Sequence, residues 1–230
     1  MSVGMPVRLT AESAAELCRK VELSDGARLL ARDGQTPREL LDLLIDGRQH
    51  LDAIRLLAYA MPRREAVWWA ISCAKIAHAI VSNENVKAAI EATELWIFDP
   101  TDPNRRATMT AAERAGLGTP AGCSCASVFF SGGSLAPPNV PEVPPGDFVT
   151  AQLAAAAVQM AAVFTEPEKV SEKHRHFLGL GRKIIDGQLS PPPLSGSEAA
   201  APPRSTILAD ATASKSAPVG EPAKKSSLFF

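Results

Sequence analysis

Met61-Pro62-Arg63-Arg64-Glu65-Ala66-Val67-Trp68-Trp69 gathers two of the chain's three tryptophans, two arginines and a helix-starting proline. Placed on a helical wheel, the run that it opens, expected to reach about residue 82, carries apolar groups on two opposite faces. Val67, Ile71, Ala74 and His78 share one face; Trp69, Cys73, Ile76 and Ile80 share the other. A helix apolar on two sides is buried between neighbours, so this one is read as the central helix of an all-helical domain. Trp69 belongs to the core, and His78, on an apolar face, is read as a satisfied core histidine. Only a narrow polar strip remains: Arg64, Trp68, Ser72 and Lys75, with Glu65 at its edge. Arg64 and Trp68 are four apart, a spacing that lays a guanidinium over an indole. The strip has two readings. Arg64, Glu65, Trp68 and Lys75 form a partner-binding groove, since Arg and Trp dominate protein-binding hot spots. Alternatively the Arg–Trp pair seals the core edge, with Arg63 or Arg64 bonded to carboxylates of an adjacent helix.

Helix signals extend outward from there. Thr36-Pro37-Arg38-Glu39 has the form of a capping box with proline at the first helical position. Leu40, Leu41, Leu44 and Ile45 follow at helical spacing, and Gly47 is the expected stop. A second helix is expected from about 48 to 60, with Leu51, Ile54, Leu57 and Ala58 on one face. Another, from about 84 to 98, turns Val86, Ala89, Ile90, Thr93 and Ile97 inward. Asp102-Pro103 and Thr119-Pro120 each read as a cap followed by a first-turn proline, ending near Gly116 and at Gly132-Gly133. Thr150 is expected to cap an alanine-rich helix to Phe164, and 165–168 starts a last helix ending near Gly187. No segment reads as a convincing strand. The predicted architecture is an irregular multi-helix bundle or a short α-solenoid-like array of helical hairpins.

The 134–146 loop contains PPNVPEVPP, which is extended or polyproline-like because a residue before proline is pushed out of the helical region. It is expected to pack across the helices, with Phe129 and Phe130 anchoring its start. After about Leu189 the composition turns to Pro, Ala, Ser, Gly and Lys. Such a segment buries too little surface to offset its ordering entropy, so 1–189 is read as the domain and 190–230 as a disordered tail. Phe229 and Phe230 at its end are either a docking peptide on a polar tether or incidental.

Composition excludes several function classes. The net charge is −1 with basic and acidic residues interleaved, which argues against a nucleic-acid partner. The start lacks the pattern of a secretory signal, and the longest apolar run, 148–164, is broken by Gln152 and Gln159 and too short to span a bilayer comfortably. A cytoplasmic protein without a membrane span is expected. Cys18, Cys73, Cys123 and Cys125 build neither a disulfide framework nor a zinc site, and are read as small apolar residues. His174 and His176 diverge on a helix, and His50 stands isolated. Ser131-Gly132-Gly133-Ser134 resembles an anion nest without a phosphate loop's lysine; a helix stop explains it equally. Ser124 lacks the setting of a nucleophile elbow. No nucleophile–base–orienter set emerges, and no cofactor or metal is expected.

MPRREAVWW, Asp99-Pro100 through Asn104-Arg105-Arg106, and Phe129-Phe130-Ser131-Gly132-Gly133-Ser134-Leu135-Ala136-Pro137-Pro138 together resemble an uncharacterised bacterial all-helical family. Its members are sometimes mislabelled twin-arginine signal proteins. The resemblance covers roughly 36–187. It implies a setting at type VI secretion loci, near spike-tip and effector-adaptor components, and it carries no catalytic residues. The expectation is therefore a non-enzymatic adaptor holding a partner protein, such as a secretion spike or effector component. The alternatives are an enzyme with an unfamiliar site near Arg64, Glu65 and Arg105, and a small-ligand sensor with a closed apolar pocket.

Overall fold

The capping box at Thr36 forms as its spacing predicts: Thr36 Oγ1 accepts from the Glu39 amide at 3.2 Å while Glu39 accepts from the Thr36 amide at 2.8 Å. The Thr36 amide and the Thr36 hydroxyl, both donating to it, hold the exposed Glu39 carboxyl below its usual range, the amide first among the causes. The structure, a computed structural model, describes residues 6–11, 13–79, 83–137 and 139–196. Among these the chain is all helical, with no strand. The elements are α1 Ala14–Lys20, α2 Asp25–Arg28, α3 Pro37–Asp46, α4 His50–Ala60, α5 Arg63–His78, α6 Glu84–Phe98, α7 Asp102–Ala115, α8 Pro120–Phe129, α9 Val149–Phe164 and α10 Val170–Ile185. A 3-10 turn, Pro167–Lys169, leads into α10, and the chain bends by 120° between α9 and that stretch.

Two hydrophobic cores lie on either side of α5. One gathers Leu17 of α1, Leu40 and Leu44 of α3, Ile54 and Leu57 of α4, Trp69 and Cys73 of α5, Val158 of α9, and Phe177 and Ile184 of α10. The other gathers Val67 and Ile71 of α5, Val86 and Ile97 of α6, Ala112 of α7 and Cys125 and Val128 of α8. Trp68 and Leu153 touch both. This is the two-faced helix that the wheel predicts, realised as an irregular bundle.

Trp69 is fully buried, and its indole N–H donates to the Phe177 carbonyl at 2.8 Å. Close packing there depends on Gly181 of α10: a Cβ at that position would stand 2.4 Å from Leu57 and 3.0 Å from the Trp69 ring. Ion pairs join the rim of the first core. Arg38 of α3 bonds Asp186 and the Ile185 carbonyl, and Arg182 of α10 bonds Asp42.

Several local expectations are corrected. Thr150 does not cap α9. It lies inside the first turn, 2% exposed, its hydroxyl without a partner, and the helix begins from Phe148 with no side-chain cap. Asp102 is the first residue of α7, and its carboxylate turns to Arg105 and Arg106 instead of to the helix amides. Leu51 points outward, 48% exposed. The left-handed residue after α3 is Arg48, with φ 57°, while Gly47 keeps φ −74°. Helix α5 ends at His78; Ile80 and the expected extension to 82 lie outside the described residues. Helices α1 and α2, unread in the sequence, are capped by Ser13 and Ser24, and Asp52 of α4 accepts from both the amide and the hydroxyl of Ser24.

Residues 190–196, assigned to the tail by composition, belong to the folded body. The Ser195 amide donates to the Phe98 carbonyl at 2.8 Å and its hydroxyl to Asp99 at 2.7 Å. The rest of the tail, with Phe229 and Phe230, lies outside the described residues.

His50 is not isolated. Its ring and that of His174 lie 5.8 Å apart, linking the start of α4 to α10. His174 is buried and His176 exposed, as helical divergence requires. His78, read as satisfied, has neither ring nitrogen bonded and packs 4.4 Å from the Phe164 ring. Burial lowers the pKa of His50, His78 and His174. Nearby Arg175 and Arg48 add to the effect at His50, and His50 itself adds to it at His174. Depressed folded values mean that the native state binds fewer protons than the unfolded chain. Stability is therefore complete above the ordinary value of 6.5 and is lost as pH falls from there through the folded values. The unfolding free energy read from urea titrations is expected to drop between pH 7 and pH 5, with a slope of at most about 1.4 kcal/mol per pH unit for each histidine. The double variant His50→Gln, His174→Gln should flatten that slope. An unchanged slope would show that the pair does not titrate on unfolding.

Candidate functional site

The polar strip of α5 is a point of convergence, though most of its partners are backbone carbonyls. Arg64 is half-buried. Its Nε donates to the Ile97 carbonyl at 2.7 Å, where α6 ends, and its NH2 group donates to the carbonyl of Pro192. The carboxylates expected as partners of Arg63 or Arg64 are absent from these bonds. The guanidinium is drawn instead to carbonyls, that of Ile97 at the end of α6 and that of Pro192, which a charged donor satisfies better than it does an indole face. Burial lowers the Arg64 pKa, and the charge of Glu65 offsets part of that effect. Lys75, farther along the strip, pairs with Glu94 of α6. Ser72 is buried and donates to the Trp68 carbonyl at 2.6 Å. Trp68 is half-buried between the ends of this ladder.

A second convergence explains the FFSGGS string. Arg63 donates to the Ser131 carbonyl at 3.0 Å. Arg105, 4% exposed, donates to the Phe129 carbonyl at 2.6 Å and the Ser134 carbonyl at 2.9 Å, and sits 5.3 Å from the Phe129 ring centre. Asp102 holds Arg105 at 2.6 Å and Arg106 at 2.7 Å, and Arg106 also reaches the Ser134 carbonyl at 2.8 Å. Those two arginines, Arg106 first, keep the Asp102 carboxyl below its usual range. Gly133 is required here: its φ is +63°, and a Cβ would lie 3.1 Å from both Arg105 and Asp102. The loop thus presents carbonyls to guanidiniums, the opposite polarity to an anion nest.

The Ser134 hydroxyl accepts from the Ala136 and Val143 amides, both at 3.1 Å, which folds the proline-rich loop back on itself. Phe129 and Phe130 stand edge to face at 5.3 Å at its root. Residues 139–144 stay exposed, so the loop is pinned at its base and not laid across the helices.

Arg64 and Arg105 bond different segments, so the grouping Arg64, Glu65 and Arg105 forms no common hydrogen-bonded set in the structure. A cleft of about 300 Å³ lies elsewhere, against the start of α9; its lining includes Tyr59, Phe148, Lys20, Arg63 and Asp147. Tyr59 and Phe148 stack there at 5.4 Å. Charged rim groups make it unlike the closed apolar pocket expected of a ligand sensor.

Burial raises the pKa of every cysteine, that of Cys123 and Cys125 to about 11, which fits the reading of these thiols as protonated packing groups. Among the described residues no group of three or more His, Cys, Asp or Glu is placed to hold a metal, and no single helix is long and apolar enough to cross a membrane.

The sequence missed the contribution of Pro192 and Ser195. Their only sequence signal is the proline run itself, whose contact with Arg64 joins residues 128 apart.

The architecture and the site define a two-core helical domain built round one buried helix, with arginine-to-carbonyl clamps holding its loops. The model of a family of unknown function, DUF6931, matches residues 40–185, and the chain belongs to that family. No curated protein and no solved structure matches it.

Proposed function

We propose that this protein is a non-enzymatic helical adaptor that holds a partner protein through the α5–α6 strip of Arg64, Glu65, Trp68 and Lys75. The observation that carries the reading is the way Arg64 and the end of α6 engage extended chain. They donate to and accept from its backbone, the mode by which proteins commonly hold peptides. A half-buried tryptophan beside them supplies the apolar anchor typical of such contacts. Of the charged groups that the enzyme reading names, Arg105 is engaged in framework bonds with three partners.

The setting drawn from the resemblance is bacterial type VI secretion loci, and the sequence pattern favours the cytoplasm. The partner would be a spike or effector component, and the role would be effector loading. Phe229 and Phe230 are a second docking element in this reading.

The test compares Trp68→Ala with wild type for co-purification of spike and effector components from the native bacterium. Capture is expected to fall at least about tenfold, as for a binding hot spot, with a smaller loss of stability than Trp69→Ala causes. Equal destabilisation by both variants, or undiminished capture by Trp68→Ala, would remove the groove reading.

A further inference from the structure

The strip assigned to a partner is met at its Arg64 end in this structure by the chain itself. After α10, Leu189 packs on the first core, Pro192 gives its carbonyl to Arg64, and Ser195 reaches the end of α6. Between them, residues 190–194 have neither helical nor strand pairing. Pro191, Pro192 and Pro193 fix their own φ and favour the polyproline helix, which loses little entropy on docking. Prolines have no N–H, so such a segment offers carbonyls and rings, and its next contact must come from a residue beyond the run. The groove matches that pattern. Arg64 supplies a donor for the carbonyl within the run, and the Phe98 carbonyl and Asp99 carboxylate supply acceptors three residues later, for the amide and hydroxyl of Ser195.

From this match we infer that the α5–α6 strip is a binding site for an extended proline-rich segment, and that residues 190–196 occupy it in cis until a proline-rich segment of the partner replaces them. The inference rests on the adaptor reading and names both the partner chemistry and its regulation. The occupant is polyproline in form, not an amphipathic helix, because the groove's contacts address backbone groups of an extended chain. The carboxylate at Asp99 further favours a segment with a hydroxyl or amide donor just after the prolines.

The test uses the full chain and a fluorescein-labelled peptide of sequence LSPPPLSG, residues 189–196. Ser195→Glu removes the hydroxyl and sets a carboxylate against Asp99, releasing the strap while leaving the groove intact. Peptide binding by anisotropy is expected to be about tenfold tighter for Ser195→Glu than for wild type, the factor gained when a groove filled nine times in ten is freed. A control peptide with the three prolines replaced by glycine should bind Ser195→Glu at least about tenfold more weakly, because it lacks the preformed helix. Arg64→Lys in the Ser195→Glu background should lose most of the gain, since lysine cannot reach two carbonyls as a fork does. Equal binding by wild type and Ser195→Glu, or equal affinity for the proline and glycine peptides, would overturn the inference. If the peptide fails while Trp68→Ala still reduces partner capture, the adaptor reading stands without it. If the peptide binds as expected while capture ignores Trp68, the adaptor reading falls.

Discussion

Trp69→Ala is expected to lower stability by about 3–5 kcal/mol, the range for removing a fully buried tryptophan. The side chain is 0% exposed and fills the space between α5, α4 and α10, with Gly181 leaving room for its ring. Its removal opens a cavity in the first core and strips the Phe177 carbonyl of the indole donor at 2.8 Å. Relaxation cannot refill the site, since Leu57 and Ile184 already pack fully buried around the same core. At about 2–4 °C per kcal/mol for a chain of this size, the melting temperature should fall by roughly 10 °C, read by circular dichroism. A loss of under about 1 kcal/mol would show that Trp69 does not bear on both helices as the structure has it.

Arg105→Ala should cost about 2–3 kcal/mol, because it removes a buried guanidinium with three partners and leaves the partly buried Phe129 carbonyl without its charged donor, the Ser134 carbonyl keeping Arg106. The effect should be local as well as global. Phe129, Ser134 and Asp102 all lose a partner, so amide exchange should accelerate in 130–137 beyond the change elsewhere. Arg106→Ala is the contrast. Its side chain is 28% exposed, and the Ser134 carbonyl keeps Arg105, so the expected loss is below about 1 kcal/mol. Lysine should not rescue position 105, since an ammonium cannot span carbonyls 129 and 134 while also pairing with Asp102. Matching losses for the two alanine variants would refute the clamp.

The central helix and its two neighbours were legible because their signals are local. Thr36 and Glu39 are one turn apart, and the alternation of Val67 and Trp69 across α5 is a matter of 3.6-residue periodicity. What was illegible depends on distance or on a neutral partner. Arg64 was expected on a carboxylate or an indole, since those are the partners a sequence displays. Its real partners are carbonyls, which every residue carries and no sequence pattern marks. The His50–His174 contact and the Pro192 and Ser195 anchors required the fold before they existed. Helix α2 is four residues long, too short for any periodicity to register. Thr150 misled for a different reason. A threonine ahead of an alanine run suits a cap and a first helical turn equally, and only the burial of the residue in the fold separates the two.

Helix α5 has a consequence in time. Its buried Trp69 meets Phe177, a residue 108 positions later in the chain. At a synthesis rate of about 5–20 residues per second, roughly 5–20 s pass between the emergence of the two. During that interval the helix that both cores share can settle against α6 and α8, while the side destined for α9 and α10 stays open to any other apolar chain. The molecule is therefore most exposed to misassembly and to chaperone capture before α10 is made.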